Sequence, residues 1–389
     1  MVSKVEKHPN PRTMKTLAKL VTIALTSGIH AAEISHAIDV QSFGKLPSGT
    51  EAKVYTLTNK NGLRARISDF GATLVSMEIP DKNGKVADVT LGFENAAAYL
   101  ATENPYFGAS VGRFGNRIKD GKFELDGKTY TLATNNEPGG VPCHLHGGKT
   151  GFNRVLWTVK ADAGANSVVL TYISKDGEEG YPGTLTTTVS YTLTDDDELV
   201  WKATATTNAP TVLNLVHHSY WNLSGDPQTS INDHLLTLAA DRYLPTDKGL
   251  IPTGELAPVA ETPLDFTKPT LIGERVEADF EALKVAGGYD HCWVLTPAEG
   301  VRLAARLEDR KSGRVLEIFT NQPAIQFYGG NFLDGTVTGR GGIKYAHRTG
   351  LCLETEGYPD APNQRSFPSA VLRPGESYNH IMIHKFTTK

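Results

Sequence analysis

Residues 185–207 carry the pattern that most restricts what this chain can become. Leu185, Val189, Tyr191 and Leu193 share one parity with threonines and a serine between them, and beyond the acidic turn at 195–198 Leu199, Trp201, Ala203 and Ala205 repeat the arrangement. Successive side chains of a strand point to opposite faces, so two adjacent runs of this kind give one buried face and one wet face, as in an antiparallel sheet. The same signals recur upstream. KVYTLTN is followed by NGLRARISDFG with Asn61-Gly62 at the turn, and FEL is joined to KTYTL by Asp126-Gly127, a pair that tolerates the positive φ of a tight hairpin. Residues 94–101 and 274–283 could each hold only a short helix. Gly 38 and Pro 21 supply the turns that many strands need. The Pro-rich connection 250–269 is flanked by strand-like sequence without a shift in composition, so it reads as a long loop over one continuous sandwich. With 389 residues the core can be large. The expected architecture is all-β, a single large antiparallel β-sandwich domain over residues 33–389.

Ahead of that domain, residues 1–32 read as an N-terminal extension with a targeting segment. Starting from Met14, Lys15 and Lys19 lead into a short apolar stretch at 20–25, and Ala31 and Ala32 offer small residues for cleavage. The stretch is far too short to span a bilayer. The expectation is a periplasmic or secreted protein with no membrane attachment once the segment is removed, or a cytoplasmic one if it is not cleaved. The net charge of −4 comes without blocks of like charge, which argues against nucleic acid or anionic lipid as partners and favours a neutral small molecule. Three cysteines, Cys143, Cys292 and Cys352, are too few and odd in number for a disulfide framework, and no CxxC spacing suggests zinc.

Six stretches interrupt the hydrophobic alternation with polar groups. In residues 214–225, NLVHHSYWNLSG, two adjacent histidines enter a run of β-formers, and histidine can exchange a proton near neutrality. GASVGRFGNRI at 108–118 lacks both phosphate-loop spacings; Arg113, Asn116 and Arg117 read instead as hydrogen-bonding groups, one arginine being expected in a structural ion pair. CHLHGG at 143–148 sets His144 and His146 at HxH spacing, which on a strand would turn both the same way; a metal reading would recruit His217 or His218 and Glu354, but no ligand set of fixed spacing completes it. GGYDHCWVL places Asp290 in a strand that otherwise reads as buried. NQPAIQFYGGNF puts Gln326 and Tyr328 on one parity, a surface suited to a sugar's hydroxyls and C–H faces. In LCLETEGYPDAPNQRSFP, Glu354 continues an apolar strand on the parity of Cys352, and Glu356 shares that side if the strand continues.

Taken together, GRFGNRI, LHGG, HHSYWNLSG, GYDH, QFYGGNF and LETEGYPDAPNQ resemble the aldose 1-epimerase (galactose mutarotase) family in order and spacing, from about residue 42 to residue 386. The resemblance implies a galactose mutarotase-like supersandwich that interconverts α and β anomers of free aldoses such as glucose and galactose without metal or organic cofactor. It implies His218 as general acid and Glu354 as general base, with Asn116, Arg117, His146, Asp290 and Gln326 as substrate contacts. His217 stands where many members carry Asn. A carboxylate near its ordinary pKa of about 4.3 would be ready as base, and a histidine raised from about 6.5 by acidic neighbours would be ready as acid. Rival readings are a non-catalytic carbohydrate-binding module and an epimerase or lyase acting on a phosphorylated or acidic sugar, the latter needing cationic residues beyond Arg113. The assembly would be a monomer or a homodimer.

Overall fold

The alternation at 185–207 folds into the strands Leu185–Leu193 and Glu198–Thr207, paired antiparallel with Val189 opposite Ala203, Tyr191 opposite Trp201 and Leu193 opposite Leu199. The apolar parity is buried along both. This computed structural model describes residues 36–101 and 104–389; the targeting segment read over residues 1–32 lies outside them. The hairpin belongs to a nine-stranded sheet that also contains Thr158–Asp162, Ser167–Ser174, Tyr378–Thr388, Arg314–Thr320 and Arg302–Glu308. A five-stranded sheet holds the first strands, Asp39–Lys45 to Val86–Asp88, and a six-stranded sheet holds Asp290–Val294, Ala324–Tyr328 and Leu351–Glu356. The strand pairings within these three sheets are all antiparallel.

The hairpin signals form the turns expected of them. Glu51–Thr58 pairs with Arg64–Ser68 across Asn61-Gly62, and Lys122–Leu125 pairs with Lys128–Thr131 across Asp126 and Gly127, whose φ values are 51° and 76°. One apolar cluster joins the three large sheets: Val189, Tyr191, Trp201, Leu316 and Met382 from the nine-stranded sheet, Ile67, Leu74 and Met77 from the five-stranded one, and Trp293, Ile325, Phe327 and Leu353 from the six-stranded one. Side chains from facing sheets interdigitate in this way in a β-sandwich. The Pro-rich connection 250–269 is packed onto that core through Leu264 and Phe266, both fully buried.

Among the described residues α-helix is confined to three short segments, Ala96–Tyr99, Ile272–Arg275 and Glu281–Ala286. The first lies within the expected window. The single helix expected over 274–283 is instead two: the first is capped by Val276, which is buried in the core, and the second starts after Phe280, whose φ and ψ are extended. No helix of the described residues is long and apolar enough to cross a membrane.

Trp201 is fully buried, with its ring 4.8 Å from that of His380 and its indole N–H donating to Ser110 Oγ at 3.1 Å. Trp201→Ala is expected to lower the unfolding free energy by about 3–5 kcal/mol in urea titrations at unchanged m value. A loss below about 1 kcal/mol would contradict the packing described.

Candidate active site

The pleat of three neighbouring strands separates core from site. Odd-numbered Trp293, Ile325, Phe327, Leu351 and Leu353 enter the apolar core. The even-numbered residues line the opposite side, and the register sets Asp290 opposite Tyr328, Cys292 opposite Gln326, and Gln326 opposite Glu354. The strand Leu351–Glu356 continues to its last residue, so Glu356 shares the side of Glu354.

His218 arrives from the short strand Val216–His218, where it pairs with Ala109. Alternation turns its neighbour the other way. The His217 ring lies 5.7 Å from Tyr191, 5.7 Å from Trp201 and 5.0 Å from His384, inside the sandwich, with Nε2 3.2 Å from Ser219 Oγ. The histidine pair is thus one core residue and one site residue.

All seven residues expected at the site, Asn116, Arg117, His146, His218, Asp290, Gln326 and Glu354, line one cavity of about 170 Å³. His218 Nε2 is 3.6 Å from Glu354 Oε2, and Nδ1 is 3.6 Å from Cys352 Sγ. The rings of Tyr106, Tyr220 and His146 surround the imidazole at 5.7, 5.4 and 5.0 Å. Asp290 accepts from Gln326 Nε2 at 2.6 Å and lies 3.9 Å from Arg117 Nη2. Both side-chain polar atoms of Asn116 are engaged within the protein, Nδ2 donating to Glu356 and Oδ1 accepting from Arg117 N–H. Its main chain holds His146 twice: the Asn116 N–H donates to His146 Nδ1 at 3.1 Å and the Asn116 carbonyl accepts from His146 N–H at 3.1 Å.

Local backbone choices make this possible. Tyr106, Asn116 and His146 have φ of 66°, 62° and 50°, a region costing most L-residues roughly 1–2 kcal/mol, and such outliers gather where a site must be held in one geometry. Gly147 has φ of +83°, and a Cβ there would stand 1.7 Å from the Gly112 carbonyl oxygen, so only glycine lets the LHGG turn lie against the GRFG turn.

Two expectations are corrected. His144 and His146 do not face the same way, because the strand Cys143–Leu145 ends between them; the His144 ring contacts the Ala133 carbonyl and the Tyr181 hydroxyl, both at 2.7 Å, away from the cavity. Arg113 is the structural arginine, but its partners are Ser174 Oγ and the carbonyls of Ser174, Lys175 and Pro182 and not a carboxylate. Sequence reasoning also missed Tyr106, Asn136 and Phe332 on the cavity wall. Tyr106 and Asn136 come from irregular chain outside any strand, where parity carries no signal; Phe332 closes a motif whose neighbours Gln326 and Tyr328 drew attention instead.

The charges differ from expectation as well. Burial pushes His218 down to about 4, where acidic neighbours had been expected to raise it. Glu354 is held well above the ordinary carboxylate range by burial first, then by Glu356 and Asp290, with Arg117 opposing. The desolvated cavity disfavours charge on both groups. The distribution the empty cavity favours is therefore the neutral one, with the pair's proton on Glu354. Burial, followed by the charges of His218, Arg117 and His144, keeps His146 neutral. Ligand atoms of His146, His218 and Glu354 lie within 4.8 Å of one another. Because His146 Nδ1 accepts the Asn116 N–H, however, its neutral ring carries the proton on Nε2, making that atom a donor to a ligand oxygen and a poor metal ligand.

The family model described as aldose 1-epimerase matches residues 53–385. The chain belongs to the aldose 1-epimerase family. It is 46% identical to human galactose mutarotase over 345 residues, which are 89% of this chain and 97% of that one. It is 38% identical to the aldose 1-epimerase of Escherichia coli K12 over 87% of this chain and 96% of that one. Among solved structures, an aldose epimerase homologue from C. elegans superposes with TM-score 0.75 at 32% identity, covering 87% of this chain and 99% of its own. The galactose 1-epimerase of Lactobacillus acidophilus superposes with TM-score 0.77 at 26% identity, covering 91% and 99%. This aldose 1-epimerase is accordingly an isomerase with mutarotase activity on a sugar, built on a galactose mutarotase-like β-sandwich.

The histidines of the epimerase core give a stability prediction. Burial lowers His384 to about 4 and His380 to about 3. The unfolded chain then binds more protons below about pH 6.5, so their contribution is complete above that pH and is lost as pH falls through 4 towards 3. His384→Gln is expected to flatten the decline of Tm between pH 6.5 and 4 by thermal denaturation; an unchanged slope would contradict the assignment.

Proposed function

We propose that this epimerase interconverts the anomers of free aldoses such as glucose and galactose through His218 and Glu354, in a catalytic domain spanning residues 33–389. The observation that carries the proposal is the 3.6 Å approach of His218 Nε2 to Glu354 Oε2 inside a cavity lined by hydroxyl-binding groups. As the closed sugar binds, the shared proton passes from Glu354 to His218; Glu354 then takes the proton of the anomeric hydroxyl, O1 becomes a carbonyl oxygen, the bond from C1 to the ring oxygen breaks, and the ring oxygen receives the proton of His218. The aldehyde turns about its C1–C2 bond, and the reverse transfers close the ring on its other face. Atoms and protons balance within the pair and the sugar.

Burial assists a defined stage of this sequence. After ring opening Glu354 is protonated and His218 neutral, the distribution that the desolvated cavity favours. The open-chain complex is thereby lowered relative to the ion-paired closed form. Arg117 supplies donors, Asp290 acceptors, Gln326 both, and His146 its Nε2–H; together they hold the remainder of the sugar while C1 turns. Asn116 contributes by supporting His146 more than by direct contact. A phosphorylated sugar is disfavoured, since Arg117 is the single Lys or Arg among the described residues lining the cavity. The pattern at 14–32 supports export to the periplasm or medium, which cell fractionation with mass spectrometry of the mature N-terminus tests; an uncleaved chain in the cytoplasm would contradict it.

Polarimetry with pure α-glucose or α-galactose is expected to show mutarotation faster than buffer. Glu354→Gln and His218→Asn should each lower kcat/KM by about 10²–10⁴-fold, while His217→Asn mainly lowers Tm. No acceleration with any common aldose, or loss of activity in His217→Asn alone, would overturn the proposal. The kcat/KM profile should be level through neutrality, with its acid limb near pH 4. A limb near 6.5 would mean that His218 titrates as an exposed histidine.

A further inference from the structure

Beside Glu354 and Asp290, Glu356 is a third buried carboxyl at the cavity, and the proton transfers make no use of it. It is 1% exposed and lies two residues beyond Glu354 on the same face of the strand, about 7 Å along it. Its Oε1 accepts from Asn116 Nδ2 at 3.0 Å and its Oε2 from Asn214 Nδ2 at 3.2 Å. Neither amide is free to turn over. Asn116 Oδ1 accepts the Arg117 N–H at 3.0 Å; Asn214 Oδ1 accepts the Gly357 N–H at 2.8 Å while its Nδ2 also donates to the Gly115 carbonyl at 3.1 Å. Both oxygens of Glu356 therefore face fixed donors. A carboxylate satisfies that arrangement, whereas a carboxamide would set its own NH₂ against one of them.

Through Asn116 this anchor reaches the cavity wall, because Asn116 holds both the ring and the backbone N–H of His146. We propose that Glu356 is a positioning residue for the epimerase reaction, locking Asn116 and through it His146 on one side while its charge strengthens Glu354 as proton acceptor on the other. This inference rests on the function proposed above. The groups facing Glu356 are Glu354 on its own strand, Asn116 and Arg117 from the glycine turn, Asn214 ahead of the His218 strand, Asp290 and Cys292 from the strand Asp290–Val294, and Tyr378 at the start of the last strand. Arg117 is the one cation in this set. Burial pushes Glu356 up to about 8 against the pull of the two amides, so it acquires its charge in mildly alkaline solution. As it does so the proton affinity of Glu354 rises, Glu356 being the largest influence on Glu354 after burial itself.

The test is the pH dependence of kcat and KM for α-glucose, by polarimetry from pH 5 to 9.5, in wild type, Glu356→Gln and Glu356→Asp. The wild type should show an inflection near pH 8 that Glu356→Gln lacks and Glu356→Asp retains in part. Glu356→Gln should raise KM roughly threefold to tenfold at pH 9, where the wild-type side chain is a carboxylate, as the Asn116–His146 wall loosens. A lower Tm with unchanged KM and unchanged profile would make Glu356 a purely structural residue and overturn the inference while leaving the proposed function intact. Should Glu356→Gln fail to fold, the wild-type profile still decides, since a curve without inflection between pH 7 and 9 contradicts it. A wild type that accelerates no aldose would overturn both.

Discussion

The two-residue period of the strands Asp290–Val294, Ala324–Tyr328 and Leu351–Glu356 is the constraint on which the rest depends. Their odd side supplies Trp293, Ile325, Phe327 and Leu353 to the core, and their even side supplies Asp290, Gln326 and Glu354 to the cavity. A slip of one residue in any pairing would put carboxylates into the core and indole into the cavity, so the hydrophobic effect itself fixes the position of the chemistry. The same logic acts at His217 and His218, where one histidine packs among Tyr191, Trp201 and His384 and the next faces Glu354. Stability and site geometry are carried by the same backbone.

Holding ionisable groups in so closed a place has a cost that the site turns to use. An isolated buried charge is expensive, and a carboxyl and an imidazole avoid it by sharing one proton. Because the desolvated pair prefers its neutral distribution, the energetically awkward state is the one in which the sugar ring is closed and the pair charged. Tyr106 and Tyr220 flank His218 and keep it in that low-dielectric setting. Asn116 and Glu356 occupy the layer behind, so the hydrogen bonds that orient His146 extend beyond the groups able to touch a ligand.

Much of this was legible in the sequence. The parity of residues 185–207 specified a sandwich hairpin, the Asn-Gly and Asp-Gly pairs specified turns, and the six ordered motifs named seven residues that share one cavity. What could not be read follows from the physics. Parity lapses where a strand stops, so the divergence of His144 and His146 depended on where the strand Cys143–Leu145 ends. Arg113 and Arg117 look alike in a glycine-rich turn, and only packing shows that the donors of the first are spent on carbonyls. The protonation of His218 depends on burial, which here outweighs the opposing pull of a backbone hydrogen bond. Tyr106 lies in irregular chain with positive φ, for which a tyrosine gives no warning.

The central claim is that His218 and Glu354 share a single proton, held by Glu354 in the empty cavity. The most direct measurement is a ¹⁵N NMR titration of the His218 imidazole in the sugar-free protein, assigned by comparison with His218→Asn. The account predicts ring-nitrogen shifts of a neutral imidazole at pH 7 that stay neutral down to about pH 4. An imidazolium signal for His218 at pH 7 would place the proton on the histidine from the outset and contradict it.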